Sequence, residues 1–328
     1  KTWLPEESVE FLRRRTAAKD VDSAEAKAED IRRDEDDAAR ALADELGNLP
    51  LALEQAAAYR DASGMSSREY LACYREHRSE LMDRHAPDTH PDPVATTWAL
   101  SMERLRDESP AAADLMNLCA FFAPDDVPRE VIVGGGEFLP EPLASTVGNT
   151  LAMGDVAAAL RRYSMMTVDS DALSVHRLVQ QVVRDGLSAE ARQDWWERAA
   201  WLLANAMPPD TLTNPDVWPT CGRLLPHVRA VTEAETEPGS AADALGHILN
   251  DAGVYLQIRA QFGEAAEMFA KAVHVYEDAL GADHPNVATG VNNLGSILRV
   301  QGDLGGATEC FERAMRIDED TYGPDHPH

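Results

Sequence analysis

The glycine-rich text of this chain falls short of a phosphate-binding site. A P-loop has the pattern GxxxxGK[ST], in which backbone N–H groups and a lysine hold the phosphates and a hydroxyl binds Mg²⁺. The chain contains no such pattern. Its run Gly134-Gly135-Gly136 is followed by Glu137, and a carboxylate repels phosphate. We therefore expect no nucleotide hydrolysis by this chain alone, which is not predicted to be an enzyme.

Metal and nucleophilic chemistry are not supported either. Four residues of metal-ligand type lie in a linker broken by prolines, which does not fix ligand geometry; they are His85, Asp88, His90 and Asp92. The four cysteines lie far apart in apolar helical text without a CxxC pair, so they are predicted to be reduced core thiols; they are Cys73, Cys119, Cys221 and Cys310. The sequence predicts no metal site and no catalytic residue.

The charge of the chain limits its partners. It carries 57 acidic and 30 basic residues, a formal charge of −27 spread along its whole length. Such a surface repels nucleic acid and anionic lipid. The densest basic run, Arg13 to Arg15 with Lys19, is followed at once by acidic residues. No apolar run approaches the roughly 20 residues of a membrane span, and the start at Lys1 lacks a signal-peptide pattern. We expect a cytoplasmic protein that does not bind membranes and for which nucleic acid is a disfavoured partner.

Residues 1–85 are predicted to form a helical subdomain. Charge-dense text from Glu25 to Asp37 is interpreted as a solvated helix face. A helix ends at Gly47-Asn48, and Pro50 lies in the first turn of the next helix. Ser66 and Glu69 have the spacing of a capping box, which predicts a helix beginning there.

Residues 86–188 have the element order of a winged helix. Ser109 and Pro110 predict a helix start, with a buried face at Leu115, Leu118, Cys119 and Phe122. A Gly/Pro-rich loop follows over 134–148. The sequence then predicts a helix over 155–163, a short hairpin with strands 165–168 and 173–175, and a helix over 176–187.

The remaining residues are predicted to be helical throughout. Residues 189–240 are interpreted as connecting helices, with a hinge candidate at 233–240. From 241 to 328 the sequence repeats at an offset of 42, with 14 of 39 positions identical when 247–285 is compared with 289–327. Such a period predicts a helical repeat. The predicted fold class is mainly α: a helical subdomain, a winged-helix domain with a small β-hairpin, and an α-solenoid.

The repeated positions resemble the tetratricopeptide repeat of the kinesin light chain type. A small residue on the first helix and an aromatic residue on the second recur in both units, at Gly253 and Phe269 and at Gly295 and Phe311. Each unit ends in Asp-His-Pro. The resemblance implies two repeats, in an array that continues beyond the chain because each repeat needs a neighbour to bury its outer face.

Two further motifs resemble NB-ARC proteins, nucleotide-switch ATPases of the STAND class. Gly47-Asn48-Leu49-Pro50-Leu51-Ala52-Leu53 is similar to their GLPLAL motif, with Asn48 as an extra residue. Ser174-Val175-His176-Arg177 is similar to the Met-His-Asp motif that ends their winged helix, and only the histidine is retained. The order of these motifs before tetratricopeptide repeats is similar to that of bacterial NB-ARC/TPR proteins.

This resemblance implies the roles of two residues. Pro50 would cover the adenine of bound ADP, and His176 would donate a hydrogen bond to its β-phosphate, which locks the inactive state. Because the chain lacks a P-loop, the NTPase domain that the resemblance implies is expected upstream of Lys1, in cis, or is absent. ADP or ATP is then a ligand only with that domain, and the isolated chain has no cofactor.

The partner predicted for the repeats is a protein or peptide. The first helices of such repeats line a concave groove, and the helical period predicts that six polar residues lie there: Asn250, Asp251, Gln257, Asn292, Asn293 and Arg299. The acidic surroundings favour a neutral or basic ligand segment.

Three functions remain open at this stage. The first is the regulatory and ligand-sensing segment of a STAND switch, in which the winged helix couples the repeats to the upstream domain; this class also allows a ligand-induced oligomer. The alternative is a constitutive protein-binding scaffold without nucleotide switching. A DNA-binding regulator is less favoured, because the helix 155–163 has only Arg161 and Arg162 as basic residues.

Overall fold

The protein is mainly helical. The computed structural model describes residues 2–16, 25–84, 93–209, 211–234 and 239–323. The helices are α1 (Pro5–Thr16), α2 (Glu25–Glu45), α3 (Pro50–Ser63), α4 (Ser67–Arg84), α5 (Pro93–Glu108), α6 (Pro110–Cys119), α7 (Arg129–Gly134), α8 (Leu143–Val147), α9 (Thr150–Arg162), α10 (Arg177–Asp185), α11 (Ala189–Ala206), α12 (Trp218–Thr232), α13 (Ala242–Ile258), α14 (Phe262–Leu280), α15 (Pro285–Gln301) and α16 (Leu304–Tyr322). The strands are β1 (Val127–Pro128), β2 (Thr167–Val168) and β3 (Ala172–Ser174). The predicted fold class, mainly α with a C-terminal helical solenoid, is confirmed.

The chain forms two compact units. Unit 1 comprises residues 1–116, 149–169 and 174–186, and unit 2 comprises 117–148, 170–173 and 187–328. Unit 1 thus holds α1 to α5, α9, β2 and α10, whereas unit 2 holds β1, α7, α8 and α11 to α16. The division into four domains at residues 85, 188 and 240 stays a prediction.

Unit 1 depends on one carboxylate of α2. Glu35 pairs with the guanidinium of Arg60 in α3 at 3.1 Å, and it also accepts the backbone N–H of Ser67, the first residue of α4, at 2.5 Å. Arg60 is only 3% exposed, and losing one partner of so buried a pair is costly. The interpretation of the acidic text around Glu35 as a solvated face was therefore incomplete, because one of its residues joins three helices.

The local signals predicted in unit 1 are present. α2 ends before Gly47-Asn48, and α3 begins at Pro50 after Leu49 in an extended conformation. Ser66 and Glu69 form the capping box: the Glu69 carboxylate accepts the Ser66 N–H at 2.8 Å, and the Ser66 hydroxyl accepts the Glu69 N–H at 3.2 Å. Both motifs are local in sequence, which explains why composition and spacing alone revealed them.

The middle of the chain shows two differences from the prediction. Residues 134–148 are not only a loop, since they contain a 3₁₀ turn at Gly136–Phe138 and the short helix α8. Helix α9 begins five residues earlier than expected, because the Asn149 side chain accepts the N–H groups of Leu151 and Ala152 as an N-cap. The predicted buried face of α6 is confirmed, since Leu115, Leu118, Cys119 and Phe122 are at most 2% exposed.

Two side chains of helix α12, one turn apart, bind groups of the segment that precedes β1, within unit 2. Arg223 binds the Asp126 carboxylate with two bonds of 2.8 and 3.1 Å. His227, 1% exposed, accepts the Ala123 N–H through Nδ1 at 3.2 Å and lies 3.1 Å through Nε2 from the Asp126 carbonyl oxygen. A neutral imidazole with its proton on Nε2 satisfies both contacts. Burial lowers the pKa of His227, against the opposing effect of the Asp126 carbonyl.

The C-terminal repeats depend on close helix contacts at glycine. A Cβ built on Gly253 of α13 would lie 2.6 Å from the ring of Phe269 in α14, and one on Gly295 of α15 would lie 3.0 Å from Phe311 in α16. Between the two repeats, a Cβ on Gly290 of α15 would lie 2.9 Å from Val273 of α14. Only glycine admits such approaches without a shift of the neighbour.

Replacing the two equivalent glycines should have unequal effects. Phe269 is fully buried, so Gly253→Ala forces a clash that we expect to lower the free energy of unfolding by about 1–3 kcal/mol. At Gly295 a Cβ would lie 3.0 Å from both Phe311 and the Cβ of Cys310, so that these neighbours need to move by only a few tenths of an ångström, and alanine favours a helix by about 1 kcal/mol over glycine. Gly295→Ala should therefore be nearly neutral. Urea unfolding of both variants tests this prediction. An equal loss of unfolding free energy in Gly253→Ala and Gly295→Ala would contradict it.

The pH dependence of stability should report on His227. Its pKa is lowered in the folded state, so the unfolded chain binds a proton first as the pH falls. The stabilisation is complete above about pH 6.5, the ordinary histidine value, and is lost as the pH falls towards the lower folded pKa. The free energy of unfolding in urea should differ less between pH 7.5 and pH 5.5 in His227→Gln than in wild type. An identical difference in the two proteins would show that His227 does not contribute.

Candidate functional site

A pocket in unit 1 is lined by residues from both segments that resemble NB-ARC motifs, Leu51 from one and Ser174 and His176 from the other. Its volume is about 370 Å³. Among its lining residues, Glu54 in α3 and His176 before α10 are exposed. The residues that line it are Leu51, Glu54, Trp98, Arg161, Ser164, Met165, Met166, Thr167, Val168, Ser174 and His176.

His176 is the N-cap of α10. Its Nδ1 accepts the backbone N–H of Leu178 at 3.2 Å, and the side chain is exposed. Because Nδ1 acts as an acceptor, the proton of the neutral imidazole lies on Nε2. The same ring therefore stabilises the start of α10 and keeps an N–H donor on its other nitrogen.

Pro50 directly precedes Leu51, which lines this pocket, but Pro50 itself does not line it. It is the first residue of α3 and is half-buried. The next residue, Leu51, and Glu54 one turn later line the pocket. The structure thus places the start of α3 and His176 at the same pocket, with Leu51 rather than Pro50 as the apolar contact.

Sequence reasoning missed most of the pocket wall. Trp98 of α5 is 1% exposed, and Met165 and Met166 are 2% and 5% exposed. The Arg161 side chain donates to the carbonyl oxygen of Val168 at 2.5 Å. A tryptophan in a periodic apolar helix signals only a core position, so no local pattern could have assigned Trp98 to a pocket.

The chemistry of the pocket suits a flat apolar group more than a phosphate. Leucine, methionine and tryptophan side chains supply an apolar wall, while His176, Arg161 and the indole N–H of Trp98 are side-chain nitrogen donors among the lining residues. The Glu54 carboxylate opposes a nearby phosphate. The residues that the structure describes hold no cluster of three or more metal-ligand side chains, and the predicted linker residues His85, Asp88, His90 and Asp92 lie outside them.

The second candidate site follows the contact of α13 with α15 in unit 2. The Asn293 amide donates to Oδ1 of Asn250 at 2.8 Å, and the Asn286 amide donates to the Asp243 carboxylate at 3.2 Å. We call these two bonds the amide ladder. Both join residues 43 apart, although the sequence repeats every 42 residues, so Asn250 is bonded to the neighbour of its counterpart Asn292.

The amide ladder determines which hydrogen-bonding groups of the predicted groove residues are available to a ligand. Asn250 also bonds to the carboxylate of Asp251, and the pKa of Asp251 is raised by burial, against the effects of His247 and of Asn250. Asn250, Asp251, Gln257 and Asn293 are half-buried. Asn250 therefore has its oxygen engaged within the protein. Asn292 and Arg299 are exposed, and these are the predicted residues most accessible to a ligand.

Cysteine and membrane predictions can also be compared with the structure. All four cysteines are free. Cys119 and Cys221 are buried as predicted, whereas Cys73 and Cys310 are only half-buried. Among the described helices, none has the length and apolar character that crossing a bilayer requires.

Comparisons with known proteins cover most of the chain. A family model described as "Domain of unknown function (DUF7779)" matches residues 103–192, and the family "Tetratricopeptide repeat" matches residues 243–320. The chain is 26% identical over 274 residues to a "Nucleotide-binding leucine-rich repeat (NLR)-like protein" of Hyaloscypha variabilis. That match covers 78% of this chain and 26% of the relative, so the chain spans about a quarter of the relative's length. No solved structure matches. The chain therefore carries tetratricopeptide repeats and is distantly similar to an NLR-like protein.

Proposed function

We propose that this chain is the regulatory and ligand-sensing segment of a STAND-type nucleotide switch. The observation that carries the proposal is that His176 and the first turn of α3 line one pocket, although they are about 125 residues apart in sequence. The two motifs for which the NB-ARC resemblance implies nucleotide contacts thus meet in space. The nucleotide-binding wording in the name of the relative from Hyaloscypha variabilis supports the same class.

The geometry of His176 suits a contact with ADP or ATP. Its Nδ1 is used by the cap of α10, so Nε2–H is the nitrogen that can donate to a phosphate oxygen. The helix start adds a favourable dipole for an anion. This chain has no P-loop, so in the proposed switch the main phosphate contacts would come from a nucleotide-binding domain upstream in the same polypeptide. This chain then contributes a sensing contact and no catalysis.

The elements around His176 have the order expected for the coupling domain. α6, β1, α7, α8, α9, β2 and β3 follow one another in the chain, and β3 pairs antiparallel with β1, with Val127 opposite Leu173 and Pro128 opposite Ala172. One residue, Val175, separates β3 from His176. In the proposed switch, movement of this strand would bring the imidazole to the nucleotide or withdraw it.

The repeats supply the proposed sensor. Tetratricopeptide repeats present a groove to a protein or peptide segment, and the exposed Asn292 and Arg299 lie on α15 beside the amide ladder. Asn293 keeps an acceptor oxygen after donating to Asn250. The acidic balance of the chain favours a neutral or basic segment as ligand.

The two other functions fit the structure less well. A constitutive scaffold would use the repeats alone and leaves the pocket at His176 without a role. A DNA-binding regulator would need free cations on α9, but Arg161 donates to the Val168 carbonyl and Arg162 lies 3.5 Å from Glu108.

Two substitutions of His176 separate its capping role from a nucleotide contact. Asparagine is a good N-cap but lacks the imidazole donor, whereas alanine loses both. In a polypeptide that includes the upstream domain, both variants should bind ADP about 10-fold more weakly or worse, since a hydrogen bond to a charged group contributes about 1.5–3 kcal/mol. They should also favour the active state. Only His176→Ala should lose about 0.5–2 kcal/mol of stability as well.

Calorimetry with ADP and thermal unfolding provide the two measurements for His176. The chain of residues 1–328 serves as a reference and should bind ADP weakly or not at all. Wild-type ADP affinity in His176→Asn would mean that the histidine is only a helix cap. Sub-micromolar binding of ADP by residues 1–328 alone would contradict the need for an upstream domain.

The groove prediction is tested with two sets of substitutions. Asn292→Ala with Arg299→Ala removes exposed groups and should leave stability within about 0.5 kcal/mol of wild type, while partner capture by crosslinking falls. Asn250→Ala with Asn293→Ala breaks the amide ladder and should lower the unfolding midpoint as well. A folded Asn292→Ala, Arg299→Ala variant that retains every captured partner would place the binding surface elsewhere.

A further inference from the structure

Tyr276 of α14 is buried against α13, but its hydroxyl is not used within the repeats. The residue is 2% exposed. A Cβ built on Gly246 would lie 2.3 Å from its ring, and the ring meets the imidazole of His247 edge to face, with 5.8 Å between the ring centroids. Among the residues that the structure describes, none forms a hydrogen bond with the Tyr276 hydroxyl. Because a buried tyrosine usually bonds through its hydroxyl, this group is available to a ligand.

Two carboxylates of α13 act on the same hydroxyl. Asp243 and Asp251 lie four residues before and four residues after His247, a spacing that places them on one side of the helix. Burial raises the pKa of Tyr276 most, and the charges of Asp243 and Asp251 raise it further. Burial also raises the pKa of Asp251 itself. The phenol oxygen and the two carboxylates therefore form a negative site on the side of α13 that carries His247.

This negative charge is not balanced by a basic side chain. In the described part of the chain, neither Asp243 nor Asp251 forms an ion pair with lysine or arginine, and the nearest basic group is the imidazole of His247, 3.6 Å from the Asp243 carboxylate. Glu277, which follows Tyr276 in α14, does have such a partner, since it pairs with Arg313. A half-buried carboxylate without a cation is costly, so a cation from a ligand would be favoured here.

We propose that Asp243, Asp251 and the hydroxyl of Tyr276 bind a lysine or arginine side chain of the peptide ligand. We call these three residues the cation site. The proposal rests on the proposed function, because it specifies the chemistry of the ligand that the repeats sense. An ammonium or guanidinium group donates several hydrogen bonds and accepts none, which matches a phenol oxygen between two carboxylates.

The amide ladder fixes the helix that carries the cation site. It bonds α13 to α15 at Asp243 and at Asn250, on both sides of His247. These bonds are made by neutral amides, so they position the carboxylates without neutralising them. The cation site is therefore formed before a ligand arrives, which lowers the cost of binding.

Peptide capture by the 328-residue chain tests the cation site. The probes are pools of short peptides with random flanking residues and a central lysine, arginine or norleucine. Wild type should retain the lysine and arginine pools about 10-fold better than the norleucine pool, because hydrogen bonds to charged groups are among the strongest. Asp251→Asn should lose most of this preference. Tyr276→Phe should lower it about 3-fold, since only one hydrogen bond is removed.

Asp278→Asn is the matched control for charge. Asp278 also belongs to α14, but it is exposed and lies 3.3 Å from His274, outside the cation site, so its loss should leave the preference unchanged. Thermal unfolding shows whether each variant is folded. Tyr276→Phe keeps the buried ring and decides the outcome if Asp251→Asn unfolds. The absence of a preference for basic residues in wild type would overturn the proposal, and so would an equal loss in Asp278→Asn.

A titration with butylammonium chloride separates the cation site from peptide sensing. At constant ionic strength it should shift the NMR signal of ¹³C-labelled Tyr276 in a saturable way, and this shift should be largely lost in Asp251→Asn. If butylammonium binds but no peptide pool is retained, the cation site stands and peptide sensing is wrong. If peptides are retained without a preference for basic residues, peptide sensing stands and the cation site is wrong. If neither probe binds, both are wrong.

Discussion

A shortage of cations is the constraint on which the rest of this structure depends. The chain has 57 acidic residues against 30 basic ones, and 26 of those 30 are arginines. Arginine presents a fork of donors that can serve several oxygens at once, which lysine cannot do with defined geometry. Each guanidinium can therefore join more than two segments. Arg223 holds groups from two loops, while on α2 one carboxylate, Glu35, joins two other helices through Arg60 and Ser67.

At the helix ends, too, one side chain serves more than one group. His176 and Asn149 are placed where a helix has unbonded N–H groups, and each side chain satisfies them. At His176 the cap also orients an imidazole towards a pocket whose wall comes from α3 and α5. The histidine thus has a fixed tautomer before any ligand binds, which is what a sensing contact requires.

The sequence revealed what is encoded locally and missed what is encoded across long distances. The start of α3 at Pro50, the capping box at Ser66 and the two repeats each depend on residues within one helix or one period. The bonds of Arg223 join residues 52 and 97 positions apart, and no spacing rule predicts them. The contact of Asn250 with Asn293 was missed for a different reason: the repeat period identifies equivalent residues, whereas packing joins neighbouring ones.

That one-residue difference gives the repeat array a direction. Asn250 bonds to Asn293 and not to its counterpart Asn292, so the surfaces in contact are unlike, as in the head-to-tail contacts that extend an array. Val273 packs on Gly290, while its counterpart Met315 is 57% exposed. The opposite face of the first repeat is already occupied by α11 and α12. Among the described repeats, α16 therefore presents the face on which another helix could pack.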